Sequence, residues 1–177
     1  MNIVAYNKVK PEIAGDVFIA PGTCIIGDVV IGGRSSVWFN CVIRADVDYI
    51  RIGKGTNIQD GTVIHVASGD GPTIIGDGVT IGHKCLLHAC RIEDHAFVGM
   101  GSIVMDGAVI ESGGMLAAGS LLTAGKVVKT GELWAGLPAK LFRSLTNREI
   151  ETEIKISAKK YAELAAEYLQ MQRRHHN

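Results

Sequence analysis

The stretch IEDHAFVGMGSIVMDGAVIESGGMLAAGSLLTAGKVV, residues 92–128, repeats every six residues. Its recurring aliphatic positions are Ile92, Val98, Val104, Ile110, Leu116, Leu122 and Val128. A period of six fits neither an amphipathic helix, with 3.6 residues per turn, nor an isolated strand, which alternates every two residues. Hexapeptide repeats are typical of parallel β-helices, in which the aliphatic side chain points into a narrow core and small residues turn the corners.

The same repeat extends back almost to the N-terminus. Its earlier aliphatic positions are Ile13, Ile19, Ile25, Ile31, Val37, Ile43, Ile52, Ile58, Ile64, Ile75, Ile81 and Leu87, which makes nineteen hexads in all. With three hexads in each triangular turn, the sequence predicts a β-helix of about six turns, stacked at the inter-strand spacing of ~4.8 Å. Extra residues interrupt the repeat between Ile43 and Ile52 and between Ile64 and Ile75, and the step from Leu87 to Ile92 is one residue short. We expect loops there, where binding sites are often built.

A helical pattern replaces the repeat after AGLPAK, residues 135–140. Thr146 and Glu149 have the spacing of a capping box. An apolar stripe at helical spacing follows, made of Ile150, Ile154, Tyr161, Ala165 and Tyr168. We therefore divide the chain into a hexapeptide-repeat β-helix domain with a closing turn, residues 1–142, and a C-terminal helix, residues 143–177, that packs on the β-helix or on a neighbouring subunit.

The composition argues against several functional classes. Eighteen basic and eighteen acidic residues give a net charge of 0, so no global field favours nucleic acid or an anionic membrane. No apolar run approaches the ~18 residues of a membrane span, and the start of the chain lacks a signal-peptide pattern. These features predict a cytoplasmic protein. Its four cysteines form no CxxC pair and are expected to be free buried thiols.

The repeat places polar side chains in columns. Core positions 43, 64 and 87 are separated by 21 and 23 residues, which is one 18-residue turn plus the three or five extra residues. The residues that follow them, Arg44, His65 and His88, therefore stack in one column. Two histidines ~4.8 Å apart on adjacent strands can converge on one Zn²⁺, whose bonds to nitrogen are ~2.0–2.1 Å long. By the same count, Asp60 and His83 lie together on the preceding face.

A third histidine ligand requires a second chain. His83 lies around a corner of the prism and cannot easily join the pair of its own chain. In a homotrimer packed face to face, His65 and His88 of one chain meet His83 of the next, and the fourth position stays open, as in catalytic zinc sites. The same packing brings Arg44 toward Asp60 of the neighbour. The alternative for any single histidine here is a solvated or hydrogen-bonded side chain.

Several motifs resemble those of the γ-class carbonic anhydrases and their bacterial relatives. They are IRAD (43–46), NIQD (57–60), His65, IGHKCLLHAC (81–90), VGMGSIV (98–104) and AGLPAK (135–140). The resemblance covers roughly residues 10–170. It implies a left-handed winding of the β-helix and a homotrimer with a metal at each interface, Zn²⁺ with Fe²⁺ or Co²⁺ as other candidates. It also implies reversible hydration of CO2 to bicarbonate by a metal-bound hydroxide.

The resemblance also assigns roles to individual residues. Gln59 is similar to the family glutamine that hydrogen-bonds the metal-bound water, and Asn57 to the asparagine near it. Tyr161 is similar to a tyrosine that some members bring to the pocket; its alternative role is packing on the helix face. No residues are assigned to any other cofactor.

The resemblance further implies an intersubunit ion pair between Arg44 and Asp60, with Asp46 as an interface carboxylate beside it. One departure concerns the proton-relay glutamates of archetypal members. The corresponding places here hold Val47 and Ser68. Turnover is therefore expected to be slow or undetectable.

Two other functions remain open from the sequence. The missing glutamates favour a catalytically weak or inactive, metal-stabilised trimeric scaffold that binds a protein partner not identified by the sequence. The repeat and the AGLPAK segment are shared with hexapeptide acyltransferases that use coenzyme A. Those enzymes employ a histidine as general base on an extended loop, whereas the three histidines here are assigned to a metal.

Overall fold

A computed structural model, which describes residues 1–174, shows a parallel β-helix with three faces and one C-terminal helical segment. Most of its twenty strands are two or three residues long. In chain order, β1 to β20 are Asn2–Val4, Glu12–Ile13, Phe18–Ile19, Cys24–Ile31, Ser36–Val37, Val42–Ile52, Asn57–Ile58, Val63–His65, Thr73–Ile75, Thr80–Ile81, Leu86–His88, Arg91–Ile92, Phe97–Val98, Ile103–Val104, Val109–Ile110, Met115–Leu116, Leu121–Leu122, Val127–Val128, Glu132–Gly136 and Ala139–Ser144.

Each face of the prism is a stack of seven parallel strands. The first face stacks β1, β4, β6, β8, β11, β14 and β17. The second stacks β2, the later parts of β4 and β6, then β9, β12, β15 and β18. The third stacks β3, β5, β7, β10, β13, β16 and β19.

The predicted left-handed parallel β-helix of hexapeptide repeats with a C-terminal helix is confirmed. The expected number of turns was too small, because the structure has about seven. Strands β1 and β19 lie outside the nineteen hexads and add a strand at either end. The antiparallel strand β20 then closes the stack against β19.

A single column of aliphatic side chains forms the core behind each face. On the first face these side chains are fully buried, and they are Ile25, Ile43, Ile64, Leu87, Val104 and Leu122. Burying each one contributes about 1.5–3 kcal/mol. Because every hexad must place its aliphatic residue in one of these three columns, the register of the polar side chains next to it is fixed.

The two insertions lie at the corner between the first and second faces. The first was expected to be a loop, and that expectation is wrong: β6 runs without a break through Val42–Ile52. The second insertion forms a tight turn closed by a bridge between Ala67 and Gly71. The Gly71 N–H donates to Asp48 Oδ2 at 2.9 Å, so the two insertions are joined to each other.

The C-terminal segment begins at the predicted capping box. The Thr146 side chain accepts from the Glu149 N–H, and the Glu149 carboxylate accepts from the Thr146 N–H. Three helical stretches follow: α1, Asn147–Glu149; a π-helix, Ile150–Ile156; and α2, Ser157–Arg174. Residues 175–177 of the predicted C-terminal domain lie outside the described residues. Across residues 1–174, no helix combines the length and apolar character that a bilayer span requires.

Helix α2 packs on the third face of the same chain through an aromatic cluster. Phe18, Ala20, Trp38 and Ala165 are buried there. The Trp38 ring meets the Tyr168 ring edge-on at a centroid distance of 5.3 Å. This packing holds the helix beside the strands that lead to Asn57 and Gln59.

The four cysteines are free thiols, as predicted, although Cys24 is only half-buried. Burial raises the pKa of the Cys41 and Cys85 thiols to about 11 and that of Cys90 to about 12. Because the thiolate is the reactive form, these three side chains are unreactive at neutral pH.

Candidate metal centre

His65 and His88 lie side by side on the first face. They are direct register partners at the ends of β8 and β11, and their ring centroids are 5.2 Å apart. Their position follows from the buried residues before them, Ile64 and Leu87, which are paired in the same ladder. The adjacency expected from the hexapeptide count is therefore present, and two imidazoles face the same surface of the molecule.

Each histidine of this pair contacts a carboxylate through one ring nitrogen. His65 Nε2 is 3.0 Å from Asp46 Oδ1, and His88 Nδ1 is 2.7 Å from Asp106 Oδ1. Asp46 also accepts from Arg44. Burial by itself would raise the pKa of Asp46, but the hydrogen bonds from His65 and Arg44 outweigh it and hold that pKa below its ordinary value. Asp46 is thus ionised at neutral pH.

His83 occupies the corner between the third and first faces, together with Asp60. Its Nδ1 atom lies 2.7 Å from Asp60 Oδ2, and both side chains are 40% exposed. Within residues 1–174, no three His, Cys, Asp or Glu side chains of one chain come together as a metal site. The joining of His83 to a histidine pair on another chain therefore stays a prediction, as does the Arg44–Asp60 ion pair between chains.

The chemistry of the three histidines fits a zinc ion. A carboxylate at one nitrogen of each ring leaves the other nitrogen as the donor for a metal. Metal-binding histidines almost always have such a partner, which fixes the tautomer and the orientation of the ring. His65 and His88 would hold the ion from one chain and His83 from its neighbour.

Asn57, the first residue of β7, and Gln59, which follows the strand, form a fixed polar pair. Both are buried, with 1% and 5% exposure. Gln59 Nε2 donates to Asn57 Oδ1 at 3.0 Å, and Asn57 Nδ2 donates to Thr80 Oγ1 at 2.9 Å. These bonds fix the Gln59 amide and leave its Oε1 atom as an acceptor for a further hydrogen bond.

Tyr161 packs on the β-helix and lies near Asp60. Its ring meets that of Trp38 edge-on at a centroid distance of 5.5 Å. Burial raises the pKa of the Tyr161 hydroxyl, and the negative charge of Asp60 raises it further. The hydroxyl is therefore neutral at pH 7. Its role in a catalytic pocket stays a prediction beside the packing contact that is observed.

Val47 and Ser68, at the places where the resemblance puts proton-relay glutamates, have no carboxylate. Val47 is 53% exposed, and Ser68 is exposed on the turn of the second insertion. The nearby Asp48 carboxylate accepts from the backbone N–H groups of Tyr49 and Gly71 at 2.8 and 2.9 Å. The Asp48 carboxylate therefore holds the two insertions together through these hydrogen bonds.

Asp106 is a site residue that the sequence did not reveal. It is the third residue of the hexad VMDGAV, next to Gly107, and nothing in the pattern distinguishes it from a turn residue. Only the stacking of β14 on β11 brings the Asp106 corner beside His88.

We predict that Asp106→Asn weakens zinc binding about 10- to 100-fold, the usual cost of losing a carboxylate behind a metal-binding histidine. An asparagine amide can donate to His88 Nδ1 and so favour the wrong tautomer. Competition with a chromophoric chelator measures the affinity. Asp70→Asn, which removes an exposed carboxylate from the nearby turn, serves as the control. Equal affinities for the two variants would contradict the role of Asp106.

Comparison with known proteins gives close relatives over nearly the whole chain. A probable carbonic anhydrase of Methanocaldococcus jannaschii is 54% identical, covering 86% of this chain and 95% of its own length. The mitochondrial gamma carbonic anhydrase 2 of Arabidopsis thaliana is 51% identical over 88% of this chain, and the chain spans 58% of that relative's length. No family model matches the chain.

A solved structure agrees with these relatives in fold. The crystal structure of a hexapeptide transferase family protein from Anaplasma phagocytophilum superposes with a TM-score of 0.90 at 55% identity, covering 94% of this chain and 98% of that one. The fold and the stacked histidine pair define a hexapeptide-repeat β-helix protein. Within that class, the chain belongs to the gamma carbonic anhydrase family.

Proposed function

We propose that this protein is a zinc-dependent carbonic anhydrase that reversibly hydrates CO2 to bicarbonate and acts as a homotrimer. The observation that carries the proposal is the register pairing of His65 and His88, with a carboxylate behind each ring. The names of the relatives support the same activity. A cytoplasmic location is part of the proposal, although the Arabidopsis relative is named as mitochondrial.

The surface around the histidine pair supports contact with a second chain. Val63 and Leu86 lie next to the histidines on the first face and are 39% and 40% exposed. Apolar side chains clustered on an exposed surface favour a subunit interface. The Arg44 side chain, 44% exposed at the same surface, supplies a cation there for Asp60 of the neighbour.

The residues of the site have distinct tasks in this proposal. A bound zinc ion would supply a Lewis acid that lowers the pKa of water to about 7. Asp46 and Asp106 hold the tautomers of His65 and His88. Gln59, fixed by Asn57, accepts a hydrogen bond from the reacting water through Oε1 and orients it.

Proton export is the weakest step of this site. A proton must reach bulk solvent in every turnover, and neither Val47 nor Ser68 has a carboxylate that could accept and release it. Asp48 does not replace them, because its oxygens accept backbone hydrogen bonds. External buffer should therefore substitute for the missing relay.

The test is stopped-flow CO2 hydration combined with metal analysis on protein loaded with Zn²⁺, Co²⁺ or, without oxygen, Fe²⁺. We expect metal-dependent hydration that rises with imidazole buffer concentration and is abolished in His88→Ala. A metal-loaded trimer without hydration under any of these conditions would instead support the scaffold function, which the exposed Val47 and Ser68 favour. Acetyl transfer from acetyl coenzyme A by metal-free protein would support the acyltransferase.

A further inference from the structure

A cavity lies at the corner between the second and third faces, away from His65, His83 and His88. It has a volume of about 590 Å³ and runs between the β-helix and the C-terminal helical segment. Arg34 and Lys54 line it from adjacent turns of the coil, and Lys155 and Lys159 line it from the helical segment. The family assignment and the proposed function leave this cavity unused.

The coil side of the cavity presents two cations without an anionic partner. Among the described residues, neither the Arg34 guanidinium nor the Lys54 ammonium group takes part in an ion pair. The one acidic residue of the lining, Asp77, accepts the Lys54 backbone N–H at 2.7 Å through Oδ1. With four cations against this one carboxylate, the lining carries a net charge of +3 when His95 is neutral.

The helical side contributes lysines that are held only loosely. Lys155 Nζ is 3.2 Å from Glu151 and Lys159 Nζ is 3.9 Å from Glu163, both as exposed pairs within one helix. Such pairs contribute little, so a bound anion can displace the glutamates. Lys155 belongs to the π-helix Ile150–Ile156, a rare conformation that is frequent at functional sites.

Small residues keep the floor of the cavity open. Gly55, Gly78, Ala158 and Ala162 line it. A Cβ atom added at Gly55 would meet no atom within 4 Å, so this part of the floor faces free space. At Gly78 the added atom would lie 2.5 Å from His95 Nδ1, so the imidazole covers the next part of the floor.

We propose that this cavity binds a small organic molecule that carries a diphosphate group. Arg34 and Lys54 lie on turns ~4.8 Å apart. Lys155 in the π-helix and Lys159 in α2 are four residues apart, and both line the opposite wall. The walls thus offer two pairs of cations to two neighbouring phosphoryl groups. The glycine and alanine floor, with the His95 ring, accommodates the organic part.

Isothermal titration of the full chain with orthophosphate, pyrophosphate and ADP tests the proposal. We expect pyrophosphate to bind more tightly than orthophosphate, and ADP at least as tightly as pyrophosphate. Arg34→Gln/Lys54→Gln should weaken pyrophosphate binding about tenfold or more, because each side chain gives a charge-assisted hydrogen bond. Lys126→Gln/Lys140→Gln removes the same charge from exposed positions outside the cavity and should change the affinity less than about twofold.

A variant with unchanged net charge distinguishes binding that depends on the shape of the cavity from nonspecific electrostatic attraction. Gly55→Asn projects a side chain into the free space, and asparagine tolerates the positive φ of 61° at this position. It should weaken binding of ADP while the net charge stays the same. Lys155→Gln/Lys159→Gln gives an independent measurement from the other wall if a coil variant fails to fold.

Three results would overturn the proposal. The first is no binding of pyrophosphate or ADP at about 1 mM to the unaltered protein, since a matched site of this charge should bind below that concentration. The second is an equal loss in the cavity and control double variants. The third is equal affinity for orthophosphate and pyrophosphate.

Discussion

His65→Ala and His83→Ala proteins are each expected to lose bound metal when prepared alone, and to regain one metal per mixed trimer when combined. The reason is the division of the ligands. In the proposed site, His65 and His88 come from one chain and His83 from the next, so either substitution removes a ligand from all sites of its own trimer. Each loss should exceed the effect of any change behind the ligands, because a three-ligand site becomes a two-ligand site.

Mixed trimers give the sharper result, because each proposed site takes its histidine pair from one chain and His83 from the next chain, in the same order around the trimer. In a trimer with one His65→Ala chain and two His83→Ala chains, one interface contains both substitutions and one contains a single substitution. The remaining interface has an intact pair from one chain and an intact His83 from the other. The reverse composition also leaves one complete site.

The measurement is metal content after subunit exchange, followed with labelled chains. His95→Ala mixed with His65→Ala is the control, since His95 lies at a different corner of the prism. If exchange occurs and metal is not regained from the His65→Ala and His83→Ala mixture, the ligands do not come from two chains. Full metal in either single variant would lead to the same conclusion.

Gly99→Ala is expected to destabilise the β-helix by about 3 kcal/mol or more, the upper range for overpacking. A Cβ atom at Gly99 would lie 2.3 Å from Ala118 N and 2.7 Å from Ala118 Cα, which are backbone atoms of the next turn. Backbone held in a ladder cannot yield as the end of a flexible side chain does. The substitution must therefore push two turns apart.

Gly101→Ala provides the matched control two residues away. Its φ of 68° disfavours alanine, but the added Cβ atom would meet no atom within 4 Å. The expected cost is about 1 kcal/mol from the backbone alone. Urea unfolding at one fixed chain concentration compares the two, since assembly makes stability depend on concentration. Equal stabilities would show that the turns are not held together at Gly99.

Most of the fold can be predicted from the sequence because the buried aliphatic columns, one behind each face, dictate it. The hexads locate Ile43, Ile64 and Leu87 on one face without further information. Strand β1 is harder to predict, since Ile3 precedes the repeat and joins the ladder only through Ile25. The continuous strand Val42–Ile52 cannot be predicted from the sequence. An insertion that continues a strand and an insertion that forms a loop interrupt the repeat in the same way.

The site is predictable only where it depends on the count along the chain. The adjacency of His65 and His88 depends on that count, and so does that of Asp60 and His83. The contact between His88 and Asp106 cannot be predicted from that count. An aspartate at a corner is usually a turn residue, and the sequence around Asp106 looks like that of other corners. The Asp106 side chain reaches His88 because of the direction in which it leaves the corner, and the hexapeptide repeat does not encode that direction.

The insertions at one corner also bear on how genes for such proteins can change. Because β6 and the turn from Ala67 to Gly71 both widen the same corner, their lengths leave the faces in register. Codons can be gained or lost there while the two histidines stay in contact. At the other two corners, a length change other than a whole turn of eighteen residues would move the later aliphatic residues out of their columns. Selection can therefore remodel the surface beside the His65 and His88 pair by small steps, whereas the spacing of these two histidines along the ladder is inherited in discrete units.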